Sequence, residues 1–525
     1  MRPIKTEHKL FAAIMAGSLA VFTLAACTTV NPGDKTSETI SSDTITISSD
    51  QSEAFSDKDI EVSYDESDAQ TITLNGSSAS SDSSSVKIEG PVVTITAKGT
   101  YVVTGTLTDG YIVVDAGKSD DVRIILKDAS ITSSEYAALY CLKADNVYVT
   151  LDSNTTNFLG NTGSFDSKDD NNVDGAVFSK TDITINGSGS LEITSTDHGI
   201  VGKDDVTIAG GNIVINSSSD GIQANDSVVI KEASIDITCG KDGIQADNDE
   251  DLTKGYVCIT SGTVTIAAGD DGITASSSLQ IDGGTIDITR SYEGLEGQNV
   301  TINGGVISIV SSDDGINAVS ASSSGGVMQA DGVSTLKITG GEIYVRTEGD
   351  GVDSNGTFEM SGGILTVMGP TSGANGSLDV NGSAVITGGT VIMAGAAGMA
   401  TNFTSASQGT ILLTTGNQSS GSEIKVTDSS GKVLLQATAD SSYQTVLVSS
   451  PDLVQGNSYT VTAGNYSETV TLTDNLYGSG AGFGGGFGGP GGGDFGDPGA
   501  GGFGGPGGFG DPGAGGPGGR ERPTN

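Results

Sequence analysis

The chain has no tryptophan, and Phe and Tyr together make up only 5% of its 525 residues. A binding surface built from stacked indole rings is therefore excluded. Basic residues are also few, with 24 Lys and Arg against 65 Asp and Glu and a net charge of −41. A chain so acidic repels phosphate backbones, which excludes nucleic acid as a partner. It does not hold anionic lipid through charge either. What it does attract is divalent cations. Cysteine is sparse: after Cys27 only Cys141, Cys239 and Cys258 remain. Three is an odd number, so no complete disulfide framework is implied. A single Cys239–Cys258 bridge stays open beside free thiols packed in or near the core. No stretch beyond residue 24 is long and apolar enough to cross a bilayer. Strong helix formers are thin, while Thr, Ile, Val, Ser, Gly, Asn and Asp dominate. That vocabulary writes short strands and tight turns, so an all-β fold is expected.

The first residues differ from the rest. Arg2, Lys5 and Lys9 precede an apolar run from Leu10 to Leu24, and Leu24-Ala25-Ala26-Cys27 follows. The run is short for a span and ends in small residues, which reads as an export signal over 1–26. The tetrapeptide resembles the lipobox of bacterial lipoprotein signal peptides. That resemblance implies lipidation at Cys27 and an extracytoplasmic protein anchored to the cell membrane by that lipid alone.

Residues 27–58 are rich in Ser, Thr and Asp and read as a flexible tether. Strand-like alternation begins after residue 59, as in Val92-Val93-Thr94-Ile95 and Val122-Arg123-Ile124-Ile125-Leu126. An internal repeat then dominates. It is marked by an acid-Gly-apolar turn at Asp174-Gly175, His198-Gly199, Asp220-Gly221, Asp242-Gly243, Asp271-Gly272, Glu293-Gly294, Asp314-Gly315 and Asp350-Gly351. The period is about 22 residues, one supersecondary unit per turn of a solenoid. Three short strands and three corners fit in each unit, with two-residue corners often written Gly-Gly, where positive φ is available. The expected architecture is a right-handed parallel β-helix over 59–404, with Ile230, Ile259, Ile281, Ile302 and Ile338 stacked inside. A small C-terminal β-strand cap is expected over 405–476. The Gly- and Pro-rich stretch 477–525 cannot bury a core and reads as a disordered tail. Two steps of the repeat are long, with inserts near Asp247–Gly255 and Ser320–Ser334. Both fall just after the Asp-Gly turn, which places both loops at one corner, a common working face of solenoids.

Repeating an acid once per coil stacks carboxylates about 4.8 Å apart, where they repel. Several coils add a second acid, and that crowding points to Ca2+, which takes six to eight oxygen ligands. The candidate ligands are Asp270, Asp271, Glu293, Glu296, Asp313, Asp314, Asn317, Asp350 and Asp353. Asp247 and Asp249 in the first insert form a candidate separate site. For Asp220 and Asp242 alone, plain turn chemistry explains the acid equally well. His198, in an acid position, reads as an exposed tolerated substitution. Tyr256, Tyr292, Tyr344 and Phe358 are the aromatics within the repeat, with strand packing the expected role.

The phrases Ser179-Lys180-Thr181-Asp182-Ile183-Thr184-Ile185-Asn186-Gly187-Ser188-Gly189, Gly202-Lys203-Asp204-Asp205-Val206-Thr207-Ile208, Glu293-Gly294-Leu295-Glu296 and Asp313-Asp314-Gly315-Ile316-Asn317-Ala318 resemble the clostridial carbohydrate-binding β-helix family. The resemblance covers roughly residues 60–475. It implies a calcium-binding right-handed β-helix, similar in fold to pectate lyases, that binds plant cell-wall polysaccharide of the cellulose or polygalacturonate class. Asp313-Asp314-Gly315-Ile316-Asn317 is similar to the Asp-Asp-Gly-aromatic-Asp calcium motif of one pectate lyase family, with Ile and Asn substituted. The lyases of that family remove a proton with a Lys close to the turn. Here the residue after each Gly-apolar step is Gln223, Gln245, Thr274, Glu296, Asn317 or Asp353, and none is basic. Non-catalytic, calcium-dependent binding of an acidic or other cell-wall polysaccharide is therefore the leading expectation. Calcium-dependent β-elimination and a structural or adhesive surface solenoid are the alternatives.

Overall fold

The computed structural model describes residues 55–248, 250–251, 253–320 and 330–478. Cys27, the signal segment, Asp249 and nearly all of the Gly- and Pro-rich stretch lie outside the described residues. The described chain is all-β apart from one short helix, Asp57–Ile60. That helix opens with a capping box between Ser56 and Asp59. It straddles the end of the stretch expected as tether, and Lys58 pairs with Asp121 at 2.7 Å.

Most strands join one long, parallel-dominated sheet in which a strand typically pairs with the strand one repeat on. The repeat that begins at Asp220 shows the plan. Its three strands are Ile222–Ala224, Ser227–Ile230 and Ser234–Thr238. They pair in parallel with Ile244–Ala246, Tyr256–Ile259 and Thr263–Ala267 of the next repeat. Period-2 alternation decides which side chains face inward. Val228, Ile230, Ile235 and Ile237 are buried, while Asp236 is exposed. The expected apolar column forms as stacked register: Ile230, Ile259, Ile281, Ile302 and Ile338 are neighbours in turn, and all are fully buried. Ile237, Ile266, Ile288 and Ile309 make a second such column.

The corner after Ile230 holds three residues, Lys231 to Ala233, and not two. Its equivalents explain the Gly pairs. The second glycine takes positive φ, as at Gly284 (91°) and Gly341 (89°). The first lies against the preceding repeat: a Cβ on Gly362 would stand 2.2 Å from the Thr339 carbonyl oxygen. Both inserts leave the sheet at one corner, between Ile244–Ala246 and Tyr256–Ile259 and between Ile316–Ala318 and Thr335–Ile338. The parallel stack ends where Thr390–Gly395 meets Tyr443–Ser450, which in turn pairs with Gly409–Gln418, both antiparallel. A separate four-stranded antiparallel sheet follows, ordered Val433–Thr438, Glu423–Asp428, Ser458–Ala463, Tyr466–Thr471. It shares a hydrophobic cluster with those closing strands. Cys141, Cys239 and Cys258 are free and buried.

Each column residue is held only by its neighbours one repeat away. Ile266→Ala removes the contact to both Ile237 and Ile288 at a fully buried rung. The expected loss is about 2–5 kcal/mol, read as a lower urea midpoint.

Candidate functional site

The acid-Gly turns stack into a hydrogen-bonded ladder. The backbone N–H of Asp242 donates to Asp220 Oδ1 at 3.1 Å. Asp271 N–H donates to Asp242 Oδ1 at 3.0 Å, and Glu293 N–H to Asp271 Oδ1 at 3.1 Å. Further along, Asp350 N–H donates to Asp314 Oδ1 at 2.6 Å and Gly376 N–H to Asp350 Oδ1 at 2.5 Å. In return the turn glycines from Gly199 to Gly315 donate to the carbonyl of the next acid, as Gly243 does to Asp271 at 2.9 Å. The glycine has no substitute, because a Cβ on Gly272 would stand 2.5 Å from the Gly294 carbonyl oxygen. The repeated acid therefore caps a buried N–H, and the repeated glycine lets strands approach. This is the turn reading considered for Asp220 and Asp242. It accounts for one oxygen each of Asp220, Asp242, Asp271, Asp314 and Asp350.

His198 extends the ladder upward. Its Nδ1 accepts the Asp220 N–H at 3.3 Å and lies 3.0 Å from Asp220 Oδ2. Its side chain is 12% exposed, so it is a partly buried rung and not the exposed substitution the sequence suggested. Burial lowers its pKa, but the hydrogen bond and charge of Asp220, with Asp174 and Asp197, outweigh that and raise it.

Asp242, Asp270 and Asp271 each bring a carboxylate oxygen within 4.8 Å of the others. Asp242 was not among the expected ligands; its place beside Asp271 one repeat on was the available signal. Burial, then the neighbouring Asp220, pushes Asp242 up to about 7. Burial, then Asp242, Glu296 and Asp270, pushes Asp271 up to about 8.

A second group lies toward the C-terminal repeats. The residue after each Gly-apolar step points outward from its strand, and register aligns these residues in a row: Gln223, Gln245, Thr274, Glu296, Asn317, Asp353 and Asp379. Glu293 and Glu296 share a hydrogen bond, and burial followed by that contact raises Glu293 strongly. Asn317 Nδ2 donates to Glu293 Oε2 at 2.9 Å. Burial raises Asp314 to about 6, Asp350 to about 7 and Asp353 to about 8. Asp379 adds to the charge felt by all three, and burial raises its own pKa as well. Asp313 adds to that felt by Asp314 and Asp350. Asp379 was missed because its turn has lost the acid: Gly376-Ser377-Leu378-Asp379 stands where Asp350-Gly351-Val352-Asp353 stands one repeat earlier. Aligning Leu378 with Val352 would have found it.

Asp247 stands apart from this group. It follows Ile244–Ala246, at the corner before the second strand, and its N–H donates to the Ala224 carbonyl. Beside it Lys254 pairs with Asp226 at 2.5 Å. Of the aromatics, Phe358 is fully buried and Tyr344 bonds Asp440. Tyr292, 39% exposed, stands next to Glu293.

One atom tests whether this cluster suits a cation. Asn317 is 7% exposed, and its Oδ1 is buried without a hydrogen-bond partner. An unsatisfied carbonyl oxygen between the rungs of Glu296 and Asp353 is costly unless something positive completes it. A set of carboxylates plus one amide oxygen is the donor chemistry of a hard divalent cation. The residues therefore fit Ca2+.

Residues 89–333 match the family model described as carbohydrate-binding domain-containing protein. A protein of that same description from Acetivibrio thermocellus is 35% identical over 124 residues, which is 23% of this chain and 43% of that protein. The chain thus spans less than half the length of that curated relative. The solved structure of the polysaccharide lyase-like protein from C. thermocellum, a gadolinium derivative, is similar over 45% of this chain and 92% of its own, at 32% identity and a TM-score of 0.41.

Proposed function

We propose that the chain is a non-catalytic, calcium-dependent binder of acidic polysaccharide, of the polygalacturonate class, at the outer face of a cell membrane. In this reading the parallel strands close as a right-handed β-helix, a form supported by the three-strand period and the stacked isoleucine columns. Glu296, Asn317 and Asp353, on successive rungs, would supply the nearest ligands of one ion, with Glu293, Asp314, Asp350 and Asp379 as the acids around it. Asp242, Asp270 and Asp271 are candidates for a second. A bound Ca2+ supplies positive charge that a uronate carboxylate can share. The chain's own residues set its place, cap the turns and keep the acids close despite their repulsion. The observation that carries the reading is the buried, unpartnered Asn317 Oδ1 among carboxylates. The match of residues 89–333 to a carbohydrate-binding description supports the class of ligand. The lipobox-like Leu24-Ala25-Ala26-Cys27 supports export and a lipid anchor on Cys27.

The test is binding of the full chain to polygalacturonate and to cellulose, with Ca2+ and with excess chelator. Retention on polygalacturonate that is lost in chelator is expected. Equal retention in both conditions sinks the calcium dependence. No retention on either glycan leaves only the structural or adhesive solenoid.

One observation keeps β-elimination as a second reading. Exposed Lys241 sits opposite Asp270, whose N–H donates to the Lys241 carbonyl at 3.2 Å. That contact is made by the backbone and sets Lys241 one repeat from Asp270; elimination would need its amine to reach the proton beside a cation. If polygalacturonate gains the ultraviolet absorbance of an unsaturated product, and Lys241→Ala abolishes the gain, the chain is a lyase.

A further inference from the structure

We infer that one linear uronate-containing chain lies along the stacking direction of the strands, over the outward row that runs from Gln223 to Asp353, and that Gln223 and Gln245 read its hydroxyls. The inference rests on the calcium-dependent binding proposed above and adds the direction, the length and the neutral end of the site.

Direction follows from strand length. Ile222–Ala224 and Ile244–Ala246 are three residues each, with the first and third side chains buried. Each offers one outward side chain. Outward groups therefore recur in one direction only, from repeat to repeat. Stacked strands are spaced about 4.8 Å apart, close to the length of one pyranose ring in an extended chain. The six rungs Gln223, Gln245, Thr274, Glu296, Asn317 and Asp353 thus span about 24 Å, five spacings.

The chemistry of the row changes along its length. Asn317 and Asp353 lie at the cation end with Glu296. Gln223, Gln245 and Thr274 are uncharged, on a protein whose net charge is −41. These three rungs add no negative charge of their own, so they oppose an anionic chain less than Glu296 and Asp353 do. Gln223 Nε2 donates to Gln245 Oε1 at 2.9 Å, and Gln245 Nε2 donates to Asp242 Oδ2 at 2.9 Å. This relay fixes both amides, so little rotamer freedom is lost on binding. It leaves Gln223 Oε1 and one Nε2 hydrogen unused among the described residues. An amide that both donates and accepts matches a sugar hydroxyl, which does the same.

The experiment is calorimetric titration of the full chain, in Ca2+, with oligogalacturonates of three and of six residues. The hexamer is expected to bind at least tenfold more tightly than the trimer. Gln223→Ala should weaken the hexamer by roughly threefold to tenfold, the worth of a neutral hydrogen-bond pair, and Gln223→Glu by more. Trimer binding at the cation end should move less than hexamer binding in both variants, and an unchanged melting temperature in Ca2+ shows that they fold. Equal affinity of the wild type for trimer and hexamer overturns the inference, as does a hexamer affinity that Gln223→Glu leaves intact. Failure of the wild type to bind either oligomer, or binding that survives chelator, is a different result: it removes the calcium-dependent reading on which the track depends.

Discussion

Asp353→Asn is expected to move two quantities in opposite senses: Ca2+ affinity falls on the order of 100-fold, as expected when a charged oxygen ligand is replaced by a neutral one, while the calcium-free protein becomes more stable at pH 8. The first effect follows from position. Asp353 lies between Asn317 and Asp379 in the outward row, and it is not a rung of the hydrogen-bonded ladder. The amide is isosteric with the acid, so the place of the side chain in the row is kept. The second effect follows from the cause of the raised pKa. Burial, then the charges of Asp314, Asp350 and Asp379, opposes ionisation of Asp353. Without the ion, an ionised Asp353 at pH 8 is a cost that the amide removes. A carboxylate retained merely for turn chemistry predicts otherwise, since its loss should destabilise the apo chain. Ca2+ titration and thermal melts in chelator decide between them. A variant that melts lower than wild type in chelator, with Ca2+ affinity unchanged, ends the cation-site reading for Asp353.

The same position shows what the sequence could and could not reveal. The Asp-Gly period placed the turns, the interior isoleucines and the corner of the inserts, because each is repeated and each is set by local chemistry: alternation in strands, positive φ at a corner, no room for a Cβ. The ladder of N–H caps could not be read. A turn acid that caps its own turn and one that caps the next repeat look identical in a linear text. That ambiguity hid the dual role of Asp242, which caps Asp271 and also stands beside Asp270. Asp379 was hidden for another reason: the repeat mark was sought as an acid before glycine, and Gly376 has replaced the acid while the outward position kept it. Asp247, expected apart from the main group, lies at the corner after the first strand, where its N–H meets the Ala224 carbonyl. The uncharged outward rungs Gln223 and Gln245 were visible only as an absence of a basic residue, and their mutual hydrogen bond exists only once two repeats are stacked.

Stability of the calcium-free chain should fall as pH rises from 5 to 8.5, and Ca2+ should remove that fall. Asp242, Asp271, Asp314, Asp350 and Asp353 have folded pKa values of about 7, 8, 6, 7 and 8 against an ordinary 3.8. A raised acid binds its proton more tightly when folded. Its contribution to stability is complete below the unfolded value near 4 and is lost as pH rises through the folded value. The window of loss therefore runs from about pH 4 up to the folded values of about 6–8, so most of it is crossed between pH 5 and 8. His198 acts in the same sense, since its folded pKa is also raised. Acids with lowered values, such as Asp65 and Asp428, have the opposite sign, but they are already ionised at pH 5 and contribute no slope above it. The five shifts compete for shared protons, so they do not add in full. The net fall is expected to be several kcal/mol, as each shift of one unit corresponds to about 1.4 kcal/mol before that sharing. Ca2+ binds the ionised form, and at 100 times its Kd it restores about 2.7 kcal/mol per site. Binding at pH 6.5 should then release protons, seen as a heat that depends on the ionisation enthalpy of the buffer. Melting curves in chelator that coincide at pH 5 and pH 8.5 would show that these acids are solvated enough to ionise freely. In that case the crowding that motivates a cation at this edge is absent.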